Sequence, residues 1–303
     1  MNNEFKSGFI TIIGKPNVGK STLLNTIIGH KIAIMSDKPQ TTRNTILGVY
    51  TTSDAQIIFT DTPGIHHAHD KLGEIMNDSS YNAIKGVDGI FYMISATDKL
   101  TNLDREIIES LKNTKKPIYL IINKIDLLKK KSDLDKVIVE YMNELPFKGI
   151  FPVSALEHTN VDELIEDIKK LLPLGPKYYP DDMISDHPER FIISELIREK
   201  ILQLTREEVP HSTAVTVDSM KKLEDADETV EIYATIYVER DSQKKIIIGK
   251  GGSLIKEVKR RAKKDIKALL GSSCTIDLWV KVKEDWKDRK DVLRTLGYSK
   301  DNY

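Results

Sequence analysis

The segment Gly14-Lys15-Pro16-Asn17-Val18-Gly19-Lys20-Ser21 satisfies GxxxxGK[ST] between an apolar run and an amphipathic one, the context in which this spacing holds phosphate. Its glycines let backbone N–H groups close around phosphate oxygens at a helix start. Lys20 supplies a point charge toward the terminal phosphates, the Ser21 hydroxyl can ligate Mg²⁺, and Thr22 after it counts with the nucleotide-binding residues. Downstream, Asp61-Thr62-Pro63-Gly64 closes the run AQIIFT. A carboxylate at a strand end facing the phosphate loop suits Mg²⁺ positioning, and Gly64 can bring a backbone N–H close to a terminal phosphate. Asn123-Lys124-Ile125-Asp126 then follows PIYLII. Guanine shows adjacent N1–H and N2–H donors that one carboxylate accepts together, whereas adenine offers no such pair, so Asp126 would select guanine. Ser154-Ala155, at the next strand end, supplies a tight backbone turn suited to the guanine carbonyl.

A second glycine loop, Gly249-Lys250-Gly251-Gly252, lies between the apolar Ile246 to Ile248 and a strongly basic segment. It lacks the GxxxxGK[ST] spacing and no NKxD-like motif follows, so it is not a second nucleotide loop. From Lys244 to Lys267 there are 10 basic and 2 acidic residues, a charge suited to a phosphate-rich partner at moderate salt. His66, His67 and His69 lack the complementary ligands of a zinc site and read as solvated histidines on a mobile loop.

The elements that must hold these residues follow from periodicity. From Gly8 to Leu172, short apolar runs (FITIIG, NTILGVYT, AQIIFTD, GIFYMIS, PIYLIIN, GIFPVS) alternate with longer amphipathic segments, which predicts an α/β unit with a mostly parallel sheet. TTSDA between the second and third runs predicts a hairpin, hence one antiparallel edge. The stretch LLPLGPKYYPDDMISDHPE is dense in breakers and reads as a linker. Beyond it the pattern predicts a helix over 190–207, strands over 213–218 and 229–239, the glycine loop, a helix over 254–270, a strand over 275–283 and a short last helix. The helix after GKGG repeats Val258, Ala262, Ile266 and Leu270 on one face and carries lysines and arginines on the other. The expected units are therefore residues 1–175, a linker over 176–188, and an α+β unit over 189–303.

The chain has 303 residues, with 46 basic and 46 acidic side chains, which argues against a wholly basic nucleic-acid protein. The balance hides segregation: residues 181–239 carry 6 basic and 15 acidic side chains, and residues 240–303 carry 18 and 9. The single cysteine, Cys274, cannot form an internal disulfide, and no charged-then-apolar leader precedes the first strand, so a reducing cytosol is expected. No apolar run reaches the roughly 18 residues a membrane span needs. Membrane association, if present, would be peripheral.

The ordered set GKPNVGKS, PQTTRN, DTPG, NKID and SA resembles the translation-factor-related GTPases of the Ras-like superfamily. That resemblance implies a switch threonine in PQTTRN, with Thr42 favoured over Thr41 as Mg²⁺ ligand, and assigns Lys20, Thr42, Gly64 and Asn17 to catalysis. Many relatives place a water-orienting glutamine after DxxG, but Ile65 stands here, which implies slow intrinsic turnover. Asn17 matches an asparagine that helps bind K⁺ in several relatives, where the ion supplies charge near the transferring phosphoryl group. The IIIGKGG loop leading into a helix resembles the type II KH domain, in which a GXXG loop passes close to a nucleic-acid backbone. It implies RNA contacts from Ile248, Gly249, Lys250, Gly251, Gly252, Lys256, Lys259 and Arg260. The combination is similar to the bacterial Era GTPase family. It implies GTP and GDP as ligands, binding near the 3′ end of small-subunit (16S) ribosomal RNA on the 30S subunit, a role in its assembly, a monomer in the cytoplasm, and peripheral membrane contact. Two rivals are a metabolic P-loop kinase, against which NKID argues, and a membrane-docked signalling switch whose basic helix binds anionic lipid.

Overall fold

The computed structural model describes residues 5–224 and 228–298; positions 1–4 and 299–303 of the units expected above lie outside the described residues. The first unit is built on a six-stranded sheet of order β2-β3-β1-β4-β5-β6, comprising β1 (Lys6–Ile13), β2 (Ile46–Thr51), β3 (Ala55–Asp61), β4 (Gly89–Ser95), β5 (Ile118–Asn123) and β6 (Gly149–Pro152). Five helices accompany it: α1 (Lys20–Ile28), α2 (Lys71–Asn82), α3 (Asn102–Lys112), α4 (Lys131–Met142) and α5 (Val161–Leu171). All pairings are parallel except β2 with β3, which run antiparallel through the expected hairpin. The central strands are apolar on both faces because helices cover both. Ile10, Ile12, Phe59 and Phe91 pack with Leu23 and Leu24 of α1 and Leu164 and Ile168 of α5. On the other face Ile13, Tyr92, Ile94 and Leu120 pack with Ile107 and Ile108 of α3 and Tyr141 of α4.

The second unit has a three-stranded sheet of order β7-β8-β9, with β7 (Ala214–Lys222) antiparallel and β9 (Cys274–Val282) parallel to β8 (Val230–Val238). Its helices are α6 (Glu189–Leu204), α7 (Asp241–Ile248), α8 (Ser253–Leu270) and α9 (Lys290–Thr295). Ile193, Ile197 and Ile201 of α6 and Val258, Ala262 and Ile266 of α8 pack on Ile232, Ala234 and Ile236 of the sheet.

Two expectations need correction. The segment before GKGG is a helix, α7, not only an apolar run. Gln243 Oε1 accepts from the N–H groups of Glu239 (2.9 Å) and Arg240 (3.0 Å), which closes the helix start, and Ile247 is buried while Ile246 faces solvent. The stretch 176–188 is not a free linker but a strap along the sheet's open edge. Gln56 Oε1 accepts from Tyr178 N–H (2.7 Å) and Tyr179 N–H (3.0 Å). Val49 N–H donates to Ile184 O at 3.0 Å, and a His187 ring nitrogen lies 2.8 Å from Thr45 O. Prolines rule out regular structure within the strap, while β2, an edge strand with unpaired polar groups, gives the strap something to bond.

The two units pack closely. Leu72 and Met76 of α2 share a buried apolar cluster with Ala214, Trp286, Val292, Leu293 and Tyr298 of the second unit. Among the described residues no helix is long and apolar enough to cross a membrane.

Candidate functional site

The loop between β1 and α1 wraps a cavity of about 520 Å³ lined by Pro16, Asn17, Lys20, Ser21, Thr22 and the segment around residues 34–42. Lys20 is buried, and its ammonium donates to the carbonyls of Gly14 (3.1 Å) and Lys15 (2.9 Å). Burial lowers its pKa to about 8, and the charge of Asp61 pulls the other way. Ser21 Oγ donates to Asp61 Oδ2 at 2.6 Å and lies 2.8 Å from Thr42 Oγ1. The structure thus brings Ser21, Thr42 and Asp61 to one point from α1, the segment before β2 and the end of β3. The Thr41 hydroxyl turns away to donate to Lys38 O at 2.6 Å.

Burial raises the Asp61 carboxyl to about 6, against opposing pulls from Lys20, Ser21 and the backbone. Its Oδ1 is buried without a hydrogen-bond partner among the described residues, and such a group is costly unless something compensates it. Two hydroxyls and an orphaned carboxylate oxygen are hard donors of the kind Mg²⁺ takes.

Asp61 leads into a tight crossing. Thr62 Oγ1 donates to Ile12 O at 2.8 Å, and Pro63 O accepts from Ser80 Oγ at 2.8 Å. Gly64 lies against Pro16, and Ile65 N–H donates to Gly14 O at 3.1 Å. The Ile65 side chain is buried in the core beneath β4, away from the cavity. His66 is not merely solvated as expected: its ring joins Gly64 O (2.8 Å) and Gln40 Nε2 (3.0 Å), linking the two loops that flank the cavity. His67 and His69 are exposed, and no metal-binding cluster of His, Cys, Asp or Glu occurs among the described residues.

Asn123 is a staple. Its Nδ2 donates to Val18 O and its Oδ1 accepts from Ala155 N–H, each at 2.9 Å, so the phosphate loop, NKID and SA are held in one register. Ala155 O accepts from Thr26 of α1 at 2.8 Å, and Ser154 Oγ accepts from Glu157 N–H at 3.2 Å. Lys124 lines the cavity and donates to Asn17 O at 2.6 Å, while Asp126, two residues on, is exposed. Two further loop side chains have partners outside the loop. The Lys15 side chain pairs with the buried Asp104 at 2.8 Å, while its carbonyl accepts from the Lys20 ammonium. Asn17 Nδ2 donates to Asp37 O at 2.9 Å.

In the second unit Gly249, Lys250, Gly251 and Gly252 form the turn from α7 into α8. Gly251 sits at φ 60°, with open space where a Cβ would be. Lys250 and Lys256 are exposed. Lys259 pairs with Asp277 at 3.0 Å, and Arg260 forks onto Glu257 at 2.7 and 2.8 Å. Of the apolar residues expected beside the loop, Ile248 is half-buried and Ile247 belongs to the core.

Contacts between the units were invisible to motif reading. Arg43 donates to Thr213 O (2.7 Å) and His211 O (3.0 Å), Glu199 accepts from Met35 N–H at 2.9 Å, and Arg198 donates to Thr41 O. These partners lie far apart in sequence and carry no local pattern. The one available signal was three ionisable residues in a row, Arg198-Glu199-Lys200, interrupting an apolar helix.

Phosphate loop, converging hydroxyls and carboxylate, and guanine-reading strand end define a P-loop GTPase, here joined to a KH domain. Residues 9–124 match the family described as 50S ribosome-binding GTPase, and residues 208–287 match the KH domain family. The chain also superposes on two solved structures along almost its whole length. A variant of Aquifex aeolicus Era bound to GDP·AlF₄⁻ is 42% identical, with 97% of this chain and 100% of that chain covered and a TM-score of 0.94. An Era in complex with MgGDPNP and nucleotides 1506–1542 of 16S ribosomal RNA is 41% identical, with 97% and 99% covered and a TM-score of 0.94. The chain belongs to the Era family and is a GTP-hydrolysing enzyme.

Proposed function

We propose that this protein binds single-stranded RNA near the 3′ end of small-subunit ribosomal RNA through its KH domain and acts in maturation of the 30S subunit, with GTP hydrolysis timing the step. We assign residues 1–175 to the GTPase unit, 176–188 to the strap and 189–303 to the RNA unit. The observation that carries the reading is the GKGG turn: a backbone left open at Gly251, at the start of the 18-residue basic helix α8. Backbone N–H groups at a helix start and the exposed ammonium groups of Lys250 and Lys256, which form no ion pair among the described residues, suit phosphates. The pairs Lys259–Asp277 and Arg260–Glu257 are surface contacts worth little, so RNA phosphates can replace the carboxylates. The relative's RNA supplies the identity of the polymer.

In the GTPase unit, Ser21, Thr42 and Asp61 would hold Mg²⁺, which when bound neutralises charge on the β- and γ-phosphates. Lys20 and the loop backbone bind those phosphates. The Gly64 backbone approaches the terminal one, and Asp126 reads the base while Asn123 holds the three loops together. Ile65 offers no polar group to the attacking water, in keeping with slow turnover. Asn17 is the residue through which K⁺ would act, and hydrolysis compared in K⁺ and Na⁺ at fixed ionic strength tests it: equal rates exclude that role. The protein works as a cytoplasmic monomer.

The deciding experiment measures affinity for a short oligonucleotide from the 16S 3′ end, and for anionic vesicles, with wild type and Gly251→Asp. Loss of RNA binding alone is expected. Unchanged RNA binding, or loss of vesicle binding only, overturns the clamp in favour of a lipid-docked switch. Repeating the RNA titration with GTP analogue, GDP and no nucleotide shows whether nucleotide gates the step.

A further inference from the structure

Arg198 lies on α6, the first helix of the RNA unit, and is completely buried. Its guanidinium forks onto Glu195 one turn earlier, with Nε–Oε1 at 2.7 Å. One nitrogen reaches across the boundary between the units to donate to the carbonyl of Thr41, 157 residues away in sequence. The peptide is planar, so Thr41 C=O, Thr42 N–H and Thr42 Cα move as one body. Holding that oxygen restrains where Thr42 Cα sits, so that the Thr42 φ and one side-chain rotation set its hydroxyl, which lies 2.8 Å from Ser21 Oγ.

The rest of the segment is tied on both sides of this point. Upstream, Met35 N–H donates to Glu199 Oε1 at 2.9 Å, and Lys31 bridges Glu199 (2.6 Å) and Asp265 of α8 (2.8 Å). Downstream, Arg43 donates to Thr213 O and His211 O and lies over the rings of Trp286 (5.5 Å) and Tyr298 (5.9 Å). The first unit's own side chains hold the stretch at other points: Asn25 grips Ile32 N–H, Ala33 N–H and Ala33 O, Asn17 donates to Asp37 O, Ser21 meets Thr42 and His66 meets Gln40, and none of them binds the Thr41 carbonyl.

We propose that Arg198 is a positioning residue for GTP hydrolysis: a side chain of the RNA unit props the peptide that presents Thr42 to the metal site of the GTPase unit. The proposal rests on the reading of Thr42 as an Mg²⁺ ligand. It does not make Arg198 catalytic, because nothing in the structure brings it to the nucleotide cavity. Its consequence is that the GTPase unit alone is an incomplete hydrolase, since the oxygen that orients Thr42 is held from the other unit.

The test uses the full chain. Arg198→Met with Glu195→Gln removes the fork without stranding a buried carboxylate; Arg198→Lys keeps the charge but presents one nitrogen in place of two; Thr42→Ala is the reference. Each is assayed for kcat, KM for GTP, the Mg²⁺ concentration giving half-maximal hydrolysis, and GDP affinity, with circular-dichroism melts alongside. For the neutral pair a drop in kcat and a rise in Mg²⁺ requirement of about tenfold each are expected, with GDP affinity within about twofold, since misplacing one ligand affects the reaction more than guanine binding. Arg198→Lys should lie between it and wild type. In the Thr42→Ala background the Arg198 change should add nothing further, because both act through one hydroxyl. If Thr42→Ala shifts the Mg²⁺ requirement while the Arg198 variants behave as wild type, or if the effects simply multiply, the positioning role is refuted and the metal reading survives. If Thr42→Ala shifts nothing, the metal reading fails and the proposal fails with it. Should the neutral pair melt early, Arg198→Lys decides: a raised Mg²⁺ requirement at unchanged GDP affinity supports the proposal, and an unchanged requirement overturns it.

Discussion

Gly64→Ala is the smallest perturbation with the largest expected effect on chemistry. Gly64 is not among the glycines with positive φ, so alanine carries no conformational penalty there and the whole effect comes from contact. A Cβ at this position would stand 2.6 Å from both Pro16 N and Pro16 Cα and 2.8 Å from Pro16 Cγ. Carbon atoms settle at about 3.5–4.0 Å, so the two loops must part by roughly 1 Å, and the neighbours are backbone that cannot rotate aside. Overpacking of this kind costs about 1–3 kcal/mol. The displacement falls on the segment between Asp61 and Ile65, whose N–H holds Gly14 O, so the terminal-phosphate side opens while the guanine side, stapled by Asn123, stays. A misplacement of about 1 Å is worth roughly a hundredfold in rate. Single-turnover hydrolysis with [γ-³²P]GTP should therefore slow by about that factor, while GDP affinity, measured with a fluorescent analogue, changes only a few-fold. Near-normal hydrolysis, or equal losses of rate and GDP affinity, would refute the argument that this close approach sets the reacting end.

Three further outcomes follow from the same contacts. Asp126→Asn should weaken GTP binding by more than a hundredfold, since an amide accepts one of guanine's two donors and opposes the other, and should improve xanthosine triphosphate binding, read by competition. Changing Lys250 and Lys256 together to Gln should lower the slope of log affinity against log salt by about 1.4 for single-stranded RNA, leaving GTP hydrolysis without RNA unchanged. His211, whose carbonyl receives Arg43, is held below its ordinary 6.5 by burial and by the Arg43 charge; the unfolded chain therefore takes up the proton first, so stability falls as pH drops below about 6.5. The fall in melting temperature between pH 7 and 5.5 should shrink in His211→Gln, and an identical fall would refute it.

Much of this molecule could be read from order and spacing. GKPNVGKS, DTPG and NKID each end a strand that the apolar runs already marked, and a P-loop sheet places successive strand ends along one edge, so the site follows once the strands are found. Ile65 shows where that reading stops: its hydrocarbon character was plain, but its burial beneath β4 was not. The same holds for His66, whose partner Gln40 sits in another loop. The helix in DSQKKIII went unseen because three isoleucines in a row show no helical period, whereas only Ile247 is buried in the core and Gln243 closes the helix start. The strap misled for the opposite reason: prolines report the absence of helix and strand but not what a segment leans on. Arg43, Arg198 and Glu199 were hidden because each is defined by a backbone group of the other unit, and backbone groups have no sequence signature.

The strap also limits how the two halves can move. It remains bonded to β2 at Val49 and to Thr45, just before that strand, as far as His187, and α6 begins at Glu189, so about one residue of loose chain separates the GTPase body from the RNA body. At roughly 3.5 Å per residue that is hardly any slack. The join is a pin at Pro188 rather than a leash, so any rotation between the two bodies has to turn close to that point.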